Sequence, residues 1–314
     1  MGSMFVCPQC AERFEGAGFC PRDGAPLQDT ALDPILGLDF GPYRAARKIG
    51  AGGMGQVYLG LQPHIGSRVA IKLLSAECAS NQALVERFFN EARAVNVIRH
   101  ESIVNVLDLS RTADGRPYIV MEYLDGSPLS ELIAERGALP VRSTLYLALD
   151  VLSALSAAHA VGVVHRDIKP DNLFVTPTGR VKLLDFGIAK LRPTLGEASH
   201  RTRTGALLGT PHYMSPEQAL GREADARSDV YSFGIVLYQM LTGRLPFVSE
   251  NLYELLKQQV ETLPPSPRSL RPELPPALEW ALLGTLQKDP THRFASAAAL
   301  YEALAQLVAT LPQD

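Results

Sequence analysis

The most informative residues of this 314-residue sequence lie in one short stretch and in a carboxylate soon after it. Residues 165–172 are His-Arg-Asp-Ile-Lys-Pro-Asp-Asn, and Asp185 follows in the tripeptide Asp-Phe-Gly. Transfer of a phosphoryl group requires a base for the attacking hydroxyl, oxygen ligands for Mg²⁺ and positive charge near the γ-phosphate. We predict Asp167 as the base and Lys169 as the positive charge. Asn172 and Asp185 are predicted to bind the metal.

A glycine-rich stretch upstream points to the same chemistry. Residues 50–57 are Gly-Ala-Gly-Gly-Met-Gly-Gln-Val, and glycines let backbone N–H groups approach phosphate oxygens closely. A dinucleotide-binding fingerprint has similar glycine spacing, but its glycines lead into a helix. Here a second strand-like run, Gln56–Leu61, follows the glycines. The pattern therefore predicts a strand–loop–strand flap.

Lys72 ends the apolar run Val-Ala-Ile-Lys and is the next candidate. A lysine within an apolar strand is costly to bury unpaired, so the pattern predicts a carboxylate or phosphate partner. Glu91 is a candidate partner because it shares a helix face with Phe88 and Val95. Two simpler interpretations remain open from these residues alone: a surface lysine on an edge strand and a solvated helix glutamate.

The elements that must position these residues change in type along the chain. Short strand-like runs with turn residues between them extend from residue 43 to about residue 122, and one helix with Asn81 as its N-cap interrupts them. Beyond Gly126 the pattern is helical. Val230–Thr242 is apolar nearly all round and is followed by a glycine, as is typical of a buried helix with a glycine C-cap.

Together these ordered motifs resemble the catalytic domain of protein kinases, most closely the eukaryotic-like (Hanks-type) serine/threonine kinases of bacteria. The resemblance covers residues 43–310. It implies an α+β, bilobal protein kinase fold. A small antiparallel β-sheet lobe with one helix is expected at residues 43–122, and a large helical lobe at residues 123–310.

The resemblance continues through Gly209–Glu217, where Ser-Pro-Glu stands in place of the usual Ala-Pro-Glu. It implies that Asp229 is the buried aspartate that braces the catalytic loop. It also implies that Arg293 pairs with Glu217. A lysine two residues after Asp167, as in Lys169, resembles the pattern of the serine/threonine kinases rather than that of the tyrosine kinases.

The resemblance further implies the ligands. ATP and Mg²⁺ or Mn²⁺ are the expected cofactors, and protein serines and threonines the expected substrates. Lys72 and Glu91 join Asp167 and Lys169 as expected catalytic residues. The expected ATP contacts, with Met121 as gatekeeper and Glu122 and Leu124 in the hinge, are Ile49, Gly50, Gly52, Gly55, Val57, Ala70, Lys72, Met121, Glu122, Leu124 and Phe174.

Thr202 and Thr204 lie between basic residues in the long segment from Asp185 to Glu217. A phosphate on either threonine would pair with Arg166, which directly precedes Asp167, so we predict activation by autophosphorylation. A homodimer would allow this reaction in trans. One alternative is that the threonines are merely solvated. Another is that the chain is a nucleotide-binding scaffold, although a scaffold has no need for the complete set of catalytic residues.

Three of the four cysteines crowd the N-terminus. Cys7 and Cys10 are separated by two residues, and Cys20 precedes Asp23 with the same spacing. This pattern predicts a zinc-ribbon-like or zinc-knuckle-like segment at residues 4–28, with Asp23 as the fourth ligand. The alternative is three free thiols in a flexible tail. Residues 29–42 contain proline and glycine with little periodicity and are predicted to form a linker.

Composition limits the function classes further. Thirty basic against 33 acidic residues give a formal net charge of −3, which argues against a nucleic-acid surface. The longest apolar stretches are interrupted by Asp150, His159 and Gly162, so no membrane span is predicted. The expected location of the kinase domain is cytoplasmic, and a parent chain could be anchored to a membrane beyond residue 314.

Overall fold

The computed structural model describes residues 4–186 and 211–311 of the chain. These residues form two compact units. The first unit comprises Met1–Asn96 and Val104–Leu124, and the second comprises Val97–Ile103 and Asp125–Asp314. The predicted division into residues 4–28, 29–42 and 43–310 stays a prediction.

The first unit is built on a six-stranded antiparallel sheet with the strand order β4-β5-β6-β7-β9-β8. A small three-stranded sheet, β2-β1-β3, precedes it in the chain. The strands of both sheets are β1 (Phe5–Val6), β2 (Arg13–Phe14), β3 (Gln28–Asp29), β4 (Asp39–Phe40), β5 (Tyr43–Gly52), β6 (Gly55–Leu61), β7 (Arg68–Leu74), β8 (Val106–Arg111) and β9 (Pro117–Glu122). Two helices, α1 (Ala76–Ala79) and α2 (Gln82–Val97), lie between β7 and β8.

Side chains alternate between the two faces of the large sheet along each strand, and both faces are covered. On one face, Leu74 and Ile119 pack against apolar side chains of α2, among them Phe88. On the other face, Tyr58 and Ile71 belong to a buried cluster that also includes residues that precede β5: Val6, Ile35, Leu36 and Phe40. These four upstream residues thus form a layer on this second face, which we call the N-terminal layer.

The second unit is mainly helical and has one small sheet with the strand order β10-β11-β12. Its strands are β10 (Ser127–Pro128), β11 (Leu173–Val175) and β12 (Val181–Leu183). Its helices are α3 (Leu129–Arg136), α4 (Val141–Ala160), α5 (Pro216–Ala219), α6 (Ala226–Thr242), α7 (Leu252–Glu261), α8 (Pro267–Leu270), α9 (Pro276–Thr285) and α10 (Ala297–Thr310). Helix α6 is buried along most of its length and lies at the centre of this unit.

Several elements predicted from the sequence are confirmed. The run Gln56–Leu61 lies in β6, which pairs with β5 to form the predicted strand–loop–strand hairpin. Asn81 caps α2, since its side-chain oxygen accepts hydrogen bonds from the N–H groups of residues 83 and 84. Helix α6 ends at Gly243, whose φ of 71° is the left-handed conformation that glycine adopts readily.

Helix α4 departs from one expectation. By length and composition alone it could cross a membrane, although no span was predicted there. In the structure half of that stretch is buried inside the unit, with Leu145 and Leu152 almost inaccessible to solvent. Its polar residues are also used within the unit, since Asp150 accepts the N–H of Val181 at 2.9 Å. These are the properties of a core helix.

Candidate active site

The glycine-rich stretch forms the hairpin between β5 and β6. Gly52 lies directly opposite Gly55, so Gly53 and Met54 are the two turn residues. A Cβ atom at Gly55 would lie 2.1 Å from the backbone oxygen of Leu73, which makes glycine necessary at this position. A Cβ atom at Gly52 would meet no other described atom within 4 Å. The tip of the hairpin therefore leaves room for a ligand to approach the backbone.

Lys72 lies on β7 in the interior of the sheet rather than on an edge strand. It is paired with Val57 on β6 and with Ile119 on β9, so these three residues share one face. In the same way, Ala70 is paired with Met121 one step along. Four residues predicted to contact ATP therefore lie on one face of the sheet. The interpretation of Lys72 as an edge-strand lysine is excluded.

Helix α2 places Glu91 on the same side of the sheet. Phe88 and Ala92 of this helix are buried in a cluster with Ile119, the residue that lies opposite Lys72 on β9. Glu91 directly precedes Ala92 and is itself half-buried. The helix thus covers the face of the sheet to which Lys72 belongs, as the predicted pair requires.

At the end of β9, Glu122 is held by Asn105. The Glu122 N–H donates to the Asn105 oxygen at 3.0 Å, and the Glu122 side chain accepts the Asn105 N–H at 2.8 Å. The amide of Glu122 is thus used within the sheet, so it is not the donor for an adenine base. The other predicted residues of this region, Ile49 on β5 and Leu124 after β9, are respectively exposed and half-buried.

In the second unit, Asp229 braces residues 165–172, the predicted catalytic loop, as the resemblance implied. This fully buried carboxylate on α6 accepts the N–H of His165 and the N–H of Arg166, each at 2.8 Å. It is also 2.8 Å from Nε2 of His159. Arg166 has a φ of 64°, a conformation that is unfavourable for a residue with a side chain. The buried aspartate holds both backbone amides at this turn.

His165 is buried and fixed in one tautomer. Its Nε2 lies 2.9 Å from the carbonyl oxygen of Leu184, which can only accept, so Nε2 carries the proton. Its Nδ1 accepts the N–H of Asp167 at 3.2 Å. Burial lowers the pKa of His165 and keeps the ring neutral. This neutral ring connects the residue before Asp185 to the backbone of Asp167.

Two of the predicted catalytic and metal-binding side chains, those of Lys169 and Asn172, converge on Asp167. The Lys169 Nζ lies 3.5 Å from Asp167 Oδ2. The Asn172 side-chain N–H group donates to the Asp167 backbone oxygen at 2.8 Å and approaches Oδ2 at 3.3 Å. Because the amide nitrogen of Asn172 faces Asp167, its amide oxygen is the atom that could bind a cation. Asn172 ends a short 3₁₀ turn, Pro170–Asn172.

Asp185 lies two residues beyond β12 and has a φ of 44°. The backbone before it is bonded to the other predicted metal ligand, since the Leu184 N–H donates to the backbone oxygen of Asn172 at 2.8 Å. After it, Phe186 is fully buried with its ring centroid 4.6 Å from that of His165. Backbone and ring contacts therefore hold both metal-ligand candidates to the same loop.

Glu217 and Arg293 form the ion pair that the resemblance implied. Two guanidinium nitrogens of Arg293 donate to the two carboxylate oxygens of Glu217, each at 2.8 Å. Both residues are buried, and the Ser228 hydroxyl also donates to Glu217. Burial opposes ionisation of Glu217, but the bonds from Arg293 and Ser228 outweigh it and lower its pKa.

The N-terminal cysteine cluster forms in the structure. The Sγ atoms of Cys7, Cys10 and Cys20 and a carboxylate oxygen of Asp23 all lie within 4.8 Å of one another. The Cys10 and Cys20 sulfurs are 3.6 Å apart, close to the spacing of about 3.8 Å that Zn–S bonds of about 2.3 Å give in a tetrahedral site. The donor set and its dimensions fit a zinc ion.

The remaining predicted residues have different outcomes. Phe174 lies on β11, half-buried and paired with Lys182 and Pro128. Thr202 and Thr204 lie outside the described residues. The sequence reasoning missed His159, which contacts Asp229, because no local spacing connects residues 70 positions apart.

Comparisons with known proteins agree with this geometry. A sequence model of the protein kinase domain matches residues 43–304. The chain is 45% identical over 316 residues to the serine/threonine-protein kinase Pkn1 of Myxococcus xanthus, a match that covers 95% of this chain and 45% of that protein. It is 39% identical to the serine/threonine-protein kinase PknA of Mycobacterium tuberculosis, over 87% of this chain and 63% of PknA.

Among solved structures, the crystal structure of the Mycobacterium tuberculosis PknI kinase domain is similar to this chain. It has a TM-score of 0.67 and 29% sequence identity, and the match covers 86% of this chain and 97% of that domain. The chain therefore belongs to the protein kinase family, in its bacterial Hanks-type serine/threonine branch, and the predicted bilobal kinase fold is confirmed. It spans about half the length of the first curated relatives.

Proposed function

We propose that this chain is an ATP-dependent serine/threonine protein kinase, which transfers the γ-phosphate of Mg-ATP to hydroxyl groups of proteins. The convergence of Lys169 and Asn172 on Asp167 is the observation that supports this function most directly. A base, a positive charge and a metal ligand thus occupy one loop, as phosphoryl transfer needs. The names of the curated relatives point to the same activity.

In the proposed reaction, Asp167 accepts the proton of the attacking hydroxyl as its oxygen bonds to the γ-phosphorus. The bond from that phosphorus to the β–γ bridging oxygen breaks, and ADP leaves with the electron pair. Lys169 compensates negative charge on the transferred group. Asn172 and Asp185 would hold Mg²⁺, which neutralises phosphate charge when bound.

The first unit would bind the nucleotide. The open hairpin tip at Gly52 allows backbone amides to reach phosphate oxygens, and Lys72 with Glu91 would position the α- and β-phosphates. Val57 and Ala70, on the face that includes Lys72, would contact the base. Phe174, Ile49, Met121, Glu122 and Leu124 complete the proposed contacts.

The proposed activity is tested by incubating the chain with Mg-ATP and a generic protein substrate, followed by mass spectrometry of phosphosites. Asp167→Asn should lower the rate by several orders of magnitude while ATP still binds, because only the base is lost. Asp171→Asn is a matched control, since Asp171 is exposed in the same loop and has no proposed role. Undiminished transfer by Asp167→Asn would contradict the assignment.

The same phosphosite map tests the proposed activation. We infer that Thr202 and Thr204 become phosphorylated and that the phosphate pairs with Arg166. A homodimer of the chain would perform this step in trans. The Thr202→Ala/Thr204→Ala double variant should bind ATP but lose most activity toward an added substrate. Wild-type activity of this variant would refute the switch.

We also propose that Cys7, Cys10, Cys20 and Asp23 bind one zinc ion. Two tight turns present these residues: the Ala11 N–H donates to the Cys7 oxygen, and the Gly24 N–H donates to the Cys20 oxygen, each at 2.9 Å. Such closed sites of four protein ligands are structural rather than catalytic. Elemental analysis should find about one zinc ion per chain.

A further inference from the structure

Gln218 on α5 connects this helix to the catalytic loop. Its side-chain N–H group donates to the backbone oxygen of Arg166 at 2.9 Å. Arg166 immediately precedes Asp167 and has a φ of 64°. Asp229 already holds the N–H of Arg166, which belongs to the peptide group that precedes this residue. The hydrogen bond from Gln218 holds the peptide group that follows it. Arg166 is thus held from two directions.

The same side chain has a second partner in its own helix. The Gln218 side-chain oxygen accepts the Ser215 N–H at 3.1 Å, and the Ser215 hydroxyl oxygen accepts the Gln218 N–H at 3.3 Å. Together these bonds form a capping box at the start of α5. The amide of Gln218 is therefore divided: its oxygen caps the helix, and its nitrogen holds the catalytic loop.

We propose that Gln218 is a positioning residue for Asp167. The peptide group that joins Arg166 to Asp167 sets the direction in which the Asp167 carboxylate points. A left-handed residue with a side chain relaxes to another conformation unless its surroundings hold it. Without the donor from Gln218, this peptide group keeps, among the described residues, only the hydrogen bond from the Asp167 N–H to His165 Nδ1 at 3.2 Å. That bond allows the peptide to tilt, which displaces the base from the attacking hydroxyl. Small displacements of a catalytic group cost large factors in rate.

Two variants separate this role from helix capping. Gln218→Glu keeps an oxygen for the Ser215 N–H, and glutamate is itself favoured at this position of a capping box, but it removes the donor to Arg166. We expect a fall in kcat of about ten- to hundredfold, with an unchanged unfolding temperature and KM for ATP. Ser215→Ala should do the opposite, lowering the unfolding temperature without lowering kcat.

The pH dependence gives a readout that a purely structural role would not change. At low pH the new carboxyl group of Gln218→Glu is protonated and donates to the Arg166 oxygen again, so kcat relative to the wild type should rise as pH falls. Gln218→Met has no donor at any pH, and its relative kcat should stay low throughout. If Gln218→Glu does not fold, the kcat of Gln218→Met by itself tests whether the donor to Arg166 is needed. Gln287→Glu is the matched control for the loss of an amide donor, because the Gln287 side chain also donates to a backbone oxygen, that of Leu283, but does not contact the loop of Asp167. Its kcat should equal that of the wild type at every pH.

The inference rests on the proposed kinase activity, and the two can fail separately. An inactive wild-type chain would contradict the proposed function and this inference with it. An active wild type with equally active Gln218→Glu and Gln218→Met would overturn the positioning role alone. A relative kcat of Gln218→Glu that is low but independent of pH would also overturn it.

Discussion

Glu217 keeps its charge at a site where burial by itself would favour the neutral acid. Arg293 approaches it with two parallel N–H donors, and the guanidinium also donates to the backbone oxygens of Arg227 and Lys288. The aromatic ring of Tyr231 lies 4.9 Å from the guanidinium carbon. A single pair of residues therefore holds α5, α6 and the segment before α10 together.

We expect Glu217→Gln to lower the free energy of unfolding by about 3–5 kcal/mol at pH 7, because it leaves the buried Arg293 charge without its partner. Since the folded pKa of Glu217 is lowered, its stabilisation is present above the unfolded pKa and is lost as pH falls through the folded pKa. The difference between variant and wild type should therefore shrink below a pH of about 4. Urea unfolding at several pH values measures this.

Glu273→Gln serves as the control for that measurement. Glu273 pairs with Arg271 at 2.8 Å, but its side chain is exposed, so its loss should change stability little. Equal effects of the two variants, or a Glu217→Gln effect that does not depend on pH, would contradict the assignment of the stabilisation to a buried ion pair.

At this scale the sequence predicts roles for the motif residues, but it does not predict the contacts that support them. The types and spacing of Asp167, Asn172 and Asp185 indicate their chemistry directly, because few other residue sets satisfy a phosphoryl-transfer site. Gln218 and His159 contribute through one hydrogen bond each to residues far away in the sequence. No periodicity records such a bond, so only the folded chain reveals it.

Among the elements, the β5–β6 hairpin depends on glycine for two different reasons. At Gly55, β6 passes so close to Leu73 of the neighbouring strand that a methyl group does not fit. At Gly52, by contrast, a methyl group has space among the described atoms. The first glycine is required by packing between strands, whereas the second would be required only by a bound nucleotide.

Gly55→Ala should therefore lower the free energy of unfolding by about 1–3 kcal/mol, because β6 must move away from β7. Gly52→Ala is its matched partner and should leave stability within about 0.5 kcal/mol of the wild type. Both variants should weaken ATP binding, the first by moving the hairpin and the second by blocking the phosphates. Thermal unfolding and nucleotide titration separate the two effects, and equal stability of both variants would contradict this account.

Strand β4 shows where element prediction from sequence fails. Residues 29–42 have little periodicity, yet Phe40 is buried there and β4 pairs with β5. Arg13 and Arg44 both bind Asp39 of this strand at 2.8 Å. A two-residue strand is too short for an alternation pattern, so tertiary contacts rather than local sequence define it.

At the scale of the whole molecule, the cysteine cluster is joined to the sheet of its unit on both sides of Cys7 and Cys10. Val6, just before Cys7, is buried with Tyr58 and Ile71. Ala11, just after Cys10, is buried with Leu59 and Leu61, and its oxygen accepts a bond from Arg44 at 3.4 Å. A metal ion at the cluster would therefore stabilise the N-terminal layer.

Cys10→Ser should remove the zinc ion, lower the unfolding temperature by several degrees and increase binding of a dye specific for apolar surface, because the layer loosens from the sheet. Zinc content, thermal unfolding and dye fluorescence measure the three effects. Cys78→Ser is the control, since Cys78 lies outside the cluster. A zinc-free Cys10→Ser chain that unfolds at the wild-type temperature would show that the layer does not need the metal.

The N-terminal layer also fixes an order of events during synthesis. Val6 and Phe40 emerge from the ribosome early, whereas Tyr118 and Val120 of their cluster are made much later on β9. The apolar side chains of the residues synthesised first thus stay exposed until the strands that they cover have been synthesised. Cys7 and Asp23 are close in sequence, so zinc can close this short loop at a small entropy cost before any strand of the large sheet exists. In a nascent chain, the zinc-bound segment would then be folded before β9 is synthesised.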